Sequence, residues 1–212
     1  MSKQLGILFK PEMVRAILEG RKTQTRRGLK GTIPFGNWDE TKKHSPWQVG
    51  DYLYVKETWW SFGYFFTTRE TTKTGKLKEK WLKEYDIHFA ADHEDGWEPP
   101  KKSPYAIGWW RKMSSLFLEK KDARIWLKVT NVRVERLLDI SEADAIAEGI
   151  VSHKGVPGEY PSETMYKDYL GTSCVISPIH SYLTLWDSIN GAGSHKENGW
   201  VWVIEFERCE KP

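Results

Sequence analysis

Apolar and polar positions change rhythm several times along this chain, and each change marks an element. Residues 6–9 read as a short first strand. Pro11 then opens a helix at the position where a missing N–H costs nothing, and Met13, Ala16 and Ile17 give it an apolar stripe at helical spacing. Gly20 is the expected left-handed stop. Thr23, Thr25 and Arg27 alternate with Gln24 and Arg26, as a strand would have it. Residues 28–46 read as loop, with Gly28, Gly31, Pro34, Gly36, Asn37 and Pro46. Gly50 and Asp51 form a turn that feeds a strand over 52–58.

The stretch 124–136 is the clearest strand. Ile125, Leu127 and Val129 alternate with Trp126, Lys128 and Thr130, and after Asn131 the apolar phase moves to Val132 and Val134. A phase change of this kind predicts a bulge or a bend. Ser141 caps a short helix, with Asp144 at the reciprocal capping position and Ile140 as a staple, and the helix ends at Gly149. A second helix over 178–189 is capped by Ser177 and stops near Gly191. Residues 200–207 close the chain as a strand. Two stretches, 61–108 and 151–176, stand apart as insertions: the first begins aromatic, becomes Lys-rich and ends in prolines, and the second is rich in Gly, Pro and Ser. No internal repeat and no domain-scale linker is present. The expected fold is α+β, one domain over 1–212 built on a closed or nearly closed β-barrel with flanking helices.

Composition changes this picture little. With 212 residues, 39% hydrophobic and 29% charged, the chain is long enough for an ordinary core. The 12 Trp are unusual, and Trp59, Trp60, Trp81, Trp97, Trp109 and Trp110 crowd into one region. Their flat faces suit a core and equally a stacked base. A net charge of +3 leans weakly toward polyanions. Cys174 and Cys209 form no CxxC pair, the first residues lack an apolar leader, and no run approaches the roughly 20 apolar residues that span a bilayer. A reduced, cytoplasmic protein with no membrane partner is expected. Gly191-Ala192-Gly193 follows a helix and lacks a third glycine, so it is no dinucleotide loop. His88 and His93 lack a matching ligand pair, so no metal is expected, and no cofactor is expected either.

One constellation remains. Gly20-Arg21-Lys22-Thr23-Gln24-Thr25-Arg26-Arg27 follows the first helix directly. In a regular strand Thr25 and Arg27 share a face, and Lys22 meets Thr25 only from within the turn. The segment resembles the signature of the ASCH family, Gly-x-Lys-x-x-Glu-x-Arg, with Gly20, Lys22 and Arg27 in place and Thr25 where most members have glutamate. With that threonine it is similar to the small ASCH-fold 4-acetylcytidine amidohydrolases, whose turn reads Gly-Arg-Lys-Thr-x-Thr-x-Arg. Ile140-Ser141-Glu142-Ala143-Asp144-Ala145-Ile146-Ala147-Glu148 resembles the helix that carries their glutamate, and Val49-Gly50-Asp51 resembles their core. Residues 55–59 and the closing strand are similar to ASCH proteins of bacterial prophages.

The resemblance implies a PUA-like barrel over residues 6–60, 124–150 and 200–207, and a catalytic set of Lys22, Thr25 and Glu148. Thr25 offers a hydroxyl that is inert until a base takes its proton. Arg21, Arg26 and Arg27 would push the pKa of Lys22 down and Glu148 would push it up, which leaves the balance open. Glu148, at the C-terminal end of its helix, would donate a proton to the leaving amine. Arg21 and Arg27, with Trp59 and Trp60, are the expected substrate contacts. The implied partner is RNA or a modified nucleoside, with hydrolysis of an N-acylated cytidine as the reaction. A non-catalytic RNA-binding module and a ribonuclease are the alternatives.

Overall fold

The computed structural model describes residues 2–29, 38–100, 108–154, 164–171 and 173–212. The fold is α+β, with eleven strands in three sheets and four α-helices among the described residues. The chain divides into two units: the first holds 1–5, 16–54 and 125–212, and the second holds 6–15 and 55–124.

The first unit is organised by a five-stranded sheet of order β1-β3-β7-β11-β2. Its strands are β1 (Gln4–Leu8), β2 (Gln24–Gly28), β3 (Tyr52–Lys56), β7 (Trp126–Arg136) and β11 (Trp200–Cys209). β11 runs antiparallel to both β2 and β7. Val201, Trp202, Val203 and Ile204 are consecutive and all buried, so both faces of β11 are covered. That is why its apolar run does not alternate. In β7 the pairing steps from Val129 opposite Phe206 to Asn131 opposite Glu205, which leaves Thr130 as the extra residue. The bulge sits where the apolar phase changes, because the chain needs one added residue to keep both Val129 and Val132 inside.

Helix α1 (Pro11–Leu18) ends at Gly20, whose φ of 75° meets the left-handed requirement of that stop. Helix α3 (Glu142–Ala147) starts at Ser141, whose hydroxyl accepts from the Asp144 N–H. The Asp144 carboxylate does not serve the cap: it accepts from Arg26 and Arg133. Two arginines are a stronger claim on a carboxylate than one backbone N–H. Helix α4 (Pro178–Asn190) is capped by Ser177 and stops at Gly191. The Asp187 carboxylate gathers the N–H groups of Gly193 and His195, the Ser194 hydroxyl and the His195 ring. The Gly191-Ala192-Gly193 stretch is thus part of a helix end. Helix α2 (Trp38–Lys43) lies within the stretch read as loop; Gly31, Pro34, Gly36 and Asn37 of that stretch lie outside the described residues. The second insertion supplies β8 (Ser152–Lys154), β9 (Thr164–Lys167) and β10 (Cys174–Val175), a small antiparallel sheet.

The second unit accounts for the crowded tryptophans. Strands β4 (Trp59–Thr71), β5 (Leu77–Phe89) and β6 (Trp109–Met113) form a sheet of order β5-β4-β6. Pairing sets Trp59 opposite Phe89 and Met113, and Phe65 opposite Trp81. The rings of Phe65, Trp81 and Trp109 lie 5.1–6.0 Å apart. Gly63 permits the close pairing of β4 and β5 at their register shift, since a Cβ there would run into the Leu82 carbonyl oxygen. Arg124 grips both oxygens of the buried Glu57 carboxylate at 2.9 Å and lies over the Phe89 ring.

Candidate functional site

The turn after α1 is drawn tight by the helix's last carbonyls: the N–H groups of Arg21 and Lys22 both donate to Ala16. Lys22 then pairs as an isolated antiparallel bridge with Glu148, the residue that ends α3. Gly149 makes the approach possible. Its φ is 84°, and a Cβ there would lie 2.7 Å from the Lys22 Cβ and 2.8 Å from that of Ala16. Thr23 donates to Ala147 and accepts from Phe206, which hands the chain into β2.

The Lys22 ammonium donates to Glu148 twice, to its backbone carbonyl and to Oε2, each at 2.8 Å. Both side chains are buried, at 0% and 3% exposure. The other carboxylate oxygen, Oε1, accepts from Arg26 at 3.2 Å. Arg26 spreads further: its Nη2 donates to Glu135 at 3.0 Å and to Asp144 at 3.1 Å. Arg133 closes the ring by donating to Asp144, Glu135 and Glu205. Gln24 donates to the Asp144 carbonyl. Arg26, Arg133, Glu135 and Glu205 meet because the ladder places Arg26 opposite Val203 and Val203 opposite Arg133, so these positions share one face.

Burial dominates the electrostatics. It pulls the Lys22 ammonium below its ordinary value, and the Glu148 charge and hydrogen bond only partly oppose this, while Arg27 and Arg26 add to it. Burial likewise lowers Arg27 against the pull of Glu148. For Arg26 burial is outweighed by Glu148, Tyr182, Asp144 and Glu135, so its value rises. Tyr182 is buried beside Arg26, whose guanidinium carbon lies 5.8 Å from its ring centre. Burial and the Glu148 charge hold its phenol well above the ordinary value.

Of the expected catalytic set, Lys22 and Glu148 are in direct contact. Thr25 is buried at 3% exposure and faces Ile204 in the ladder. Alternation puts it with Arg27 on the side of β2 opposite Gln24 and Arg26. Arg21 is turned to the backbone, donating to the carbonyls of Gly149 and Ile150. Trp59 and Trp60 are buried residues of the second unit. Sequence reading missed Arg26 as a ligand of Glu148, and it missed Tyr182 and Asp144 as members of the cluster. For Arg26 the signal was partial: it shares the strand parity of Gln24, whereas Lys22 lies in the turn before β2 and has no strand face of its own. For Tyr182 there was none, since it arrives from a distant helix. Among the described residues no three His, Cys, Asp or Glu side chains gather to hold a metal, and no helix is long and apolar enough to cross a membrane.

No protein-family model, no curated protein and no solved structure matches the chain.

Proposed function

We propose that the chain is an ASCH-type protein, a PUA-like β-barrel that binds RNA or a modified nucleoside and hydrolyses the acyl amide of an N-acylated cytidine. The observation that carries the reading is the buried contact between Lys22 and Glu148. A buried ion pair contributes little to stability once desolvation is counted, so a lysine and a glutamate buried together here point to a use beyond holding the fold. In this reading β1 and β2, the two edges of the five-stranded sheet, curl toward each other to close the barrel.

A lysine whose pKa is lowered by burial can act as a base. Lys22 takes the proton of the Thr25 hydroxyl as its oxygen attacks the acyl carbonyl carbon. The oxyanion is met by Arg27, which shares the Thr25 side of β2. Collapse breaks the bond to the cytidine amine, which leaves with a proton passed through Lys22 and Glu148. Water then releases the acyl group from Thr25 as a carboxylate, returning the hydroxyl. The Arg26 contact holds the Glu148 carboxylate in place while Lys22 changes protonation.

The test is to incubate the pure protein with a panel of N-acylated cytidines and with RNA. Release of free carboxylate and cytidine, abolished by Thr25→Ala, is the expected result. Unchanged turnover in that variant would remove Thr25 as the nucleophile. A second reading, RNA binding without turnover, is favoured by one feature: Trp109 is 51% exposed beside Phe65 and Trp81, with Arg111 over those two rings. Aromatic and cationic groups on an open sheet suit unstacked bases. Retained, salt-sensitive RNA binding with no deacylation would favour it, and a cleaved strand would instead indicate a ribonuclease.

A further inference from the structure

The second unit contains a cleft of about 320 Å³ whose lining includes Trp60, His93, Glu94, Asp95, Trp97 and Lys112. Its size is at the lower end of the range for small-ligand sites. The ladder sets Trp60 directly opposite His88 on β5 and Lys112 on β6, so the three project from one face of the sheet. The Lys112 ammonium lies 5.7 Å from the Trp60 ring centre. The cleft lining also includes a stacked aromatic pair. His93 stacks flat on Trp97, with centroids 3.4 Å apart and planes 9° apart. Arg15 ties the same segment down by donating to the His93 carbonyl at 3.0 Å and to Asp95 at 2.9 Å. Fixing an aromatic platform in advance lowers the ordering cost of stacking on it.

The charges of the cleft are unevenly used. Asp95 is held by Arg15. Glu94 is exposed, and no ion pair engages it or Lys112 among the described residues. The cleft therefore offers a flat aromatic wall, one available carboxylate and one available ammonium. A ligand that satisfies all three has a planar ring, two adjacent N–H donors for the carboxylate, and an anionic group. Guanine is the common base with adjacent donors, at N1 and N2. Adenine and cytosine place a ring acceptor beside their single amino group and would set it against Glu94. A phosphate completes the match at Lys112, where a compact charge binds phosphate as a point contact.

We propose that this cleft binds a guanine nucleotide, its base against Trp97, its donor edge on Glu94 and its phosphate on Lys112. The site is separate from the deacylation chemistry proposed above and does not rest on it.

The experiment titrates the full chain with guanosine 5′-monophosphate, adenosine 5′-monophosphate and inorganic phosphate at low salt, by calorimetry and by tryptophan fluorescence. The guanine nucleotide is expected to bind about tenfold or more tightly than either competitor, and Trp97→Ala to weaken it by about tenfold or more. Glu94→Gln, a surface change, is expected to level the guanine and adenine nucleotides while thermal unfolding stays unchanged. Binding of the guanine nucleotide no tighter than phosphate would overturn the proposal. So would a guanine preference that survives Glu94→Gln in a folded protein.

Discussion

Lys22 and Glu148 hold each other twice, as a backbone bridge between a helix exit and a helix end, and as a buried ammonium 2.8 Å from a carboxylate oxygen. The bridge fixes the two Cα positions, so the charges meet without either side chain having to search. Arg26 on the second oxygen leaves the carboxylate little freedom to turn away.

Removing the ammonium exposes how this cluster is balanced. Lys22→Met is expected to lower unfolding free energy by about 3 kcal/mol, since it strips one cation from a buried carboxylate. The remaining Arg26 contact keeps the loss near the lower end of what broken buried pairs cost. Urea denaturation of Lys22→Met and of the double variant Lys22→Met with Glu148→Leu checks this. The double variant should recover part of the loss, because it leaves no buried carboxylate with a vacated partner.

The lowered value of Lys22 has a signed consequence for pH. Below its folded pKa the ammonium is charged in both states. Between that value and the unfolded 10.5, the unfolded chain binds the proton and the folded chain does not. Folding stability contributed by this group therefore rises with pH across that window. The same proton governs the proposed base, so the deacylation rate should climb with pH along a limb lying below 10.5. Lys22→Arg should abolish that limb. A pH–rate profile identical in the variant would remove Lys22 from the chemistry.

Gly149 is expected to tolerate no side chain. Gly149→Ala puts a β-carbon at positive φ and into Lys22 and Ala16. The left-handed conformation costs about 1–2 kcal/mol, and overpacking adds about 1–3 kcal/mol. Thermal unfolding should fall accordingly, and the Lys22–Glu148 contact should be displaced, seen as lost deacylation in the fraction that still folds.

In the second unit, Arg124 is the partner that makes a buried Glu57 tolerable. Arg124→Met should cost about 3 kcal/mol or more by leaving that carboxylate unpaired. Arg124→Met combined with Glu57→Leu should cost less than the single change. Equal losses in the two variants would show that the pair's charges are not what holds the segment.

Much of this protein was legible in local pattern. Pro11, Gly20, Ser141, Ser177 and Gly191 mark helix ends because capping and left-handed backbone are decided by a few neighbouring atoms. The phase change after Asn131 announced the bulge for the same reason, as alternation is a short-range property. Lys22 and Glu148 were named as a pair through a resemblance of motifs; their spacing of more than a hundred residues held no distance. Tertiary structure alone brought α3 against β2, diverted Asp144 from its helix cap to two arginines, and set Tyr182 beside Arg26. It also decided that Trp59 and Trp60 are buried while Trp109 is open. Those outcomes depend on which strands become neighbours and what covers each face, and burial and long-range charge are properties of the assembled whole that no window of sequence contains.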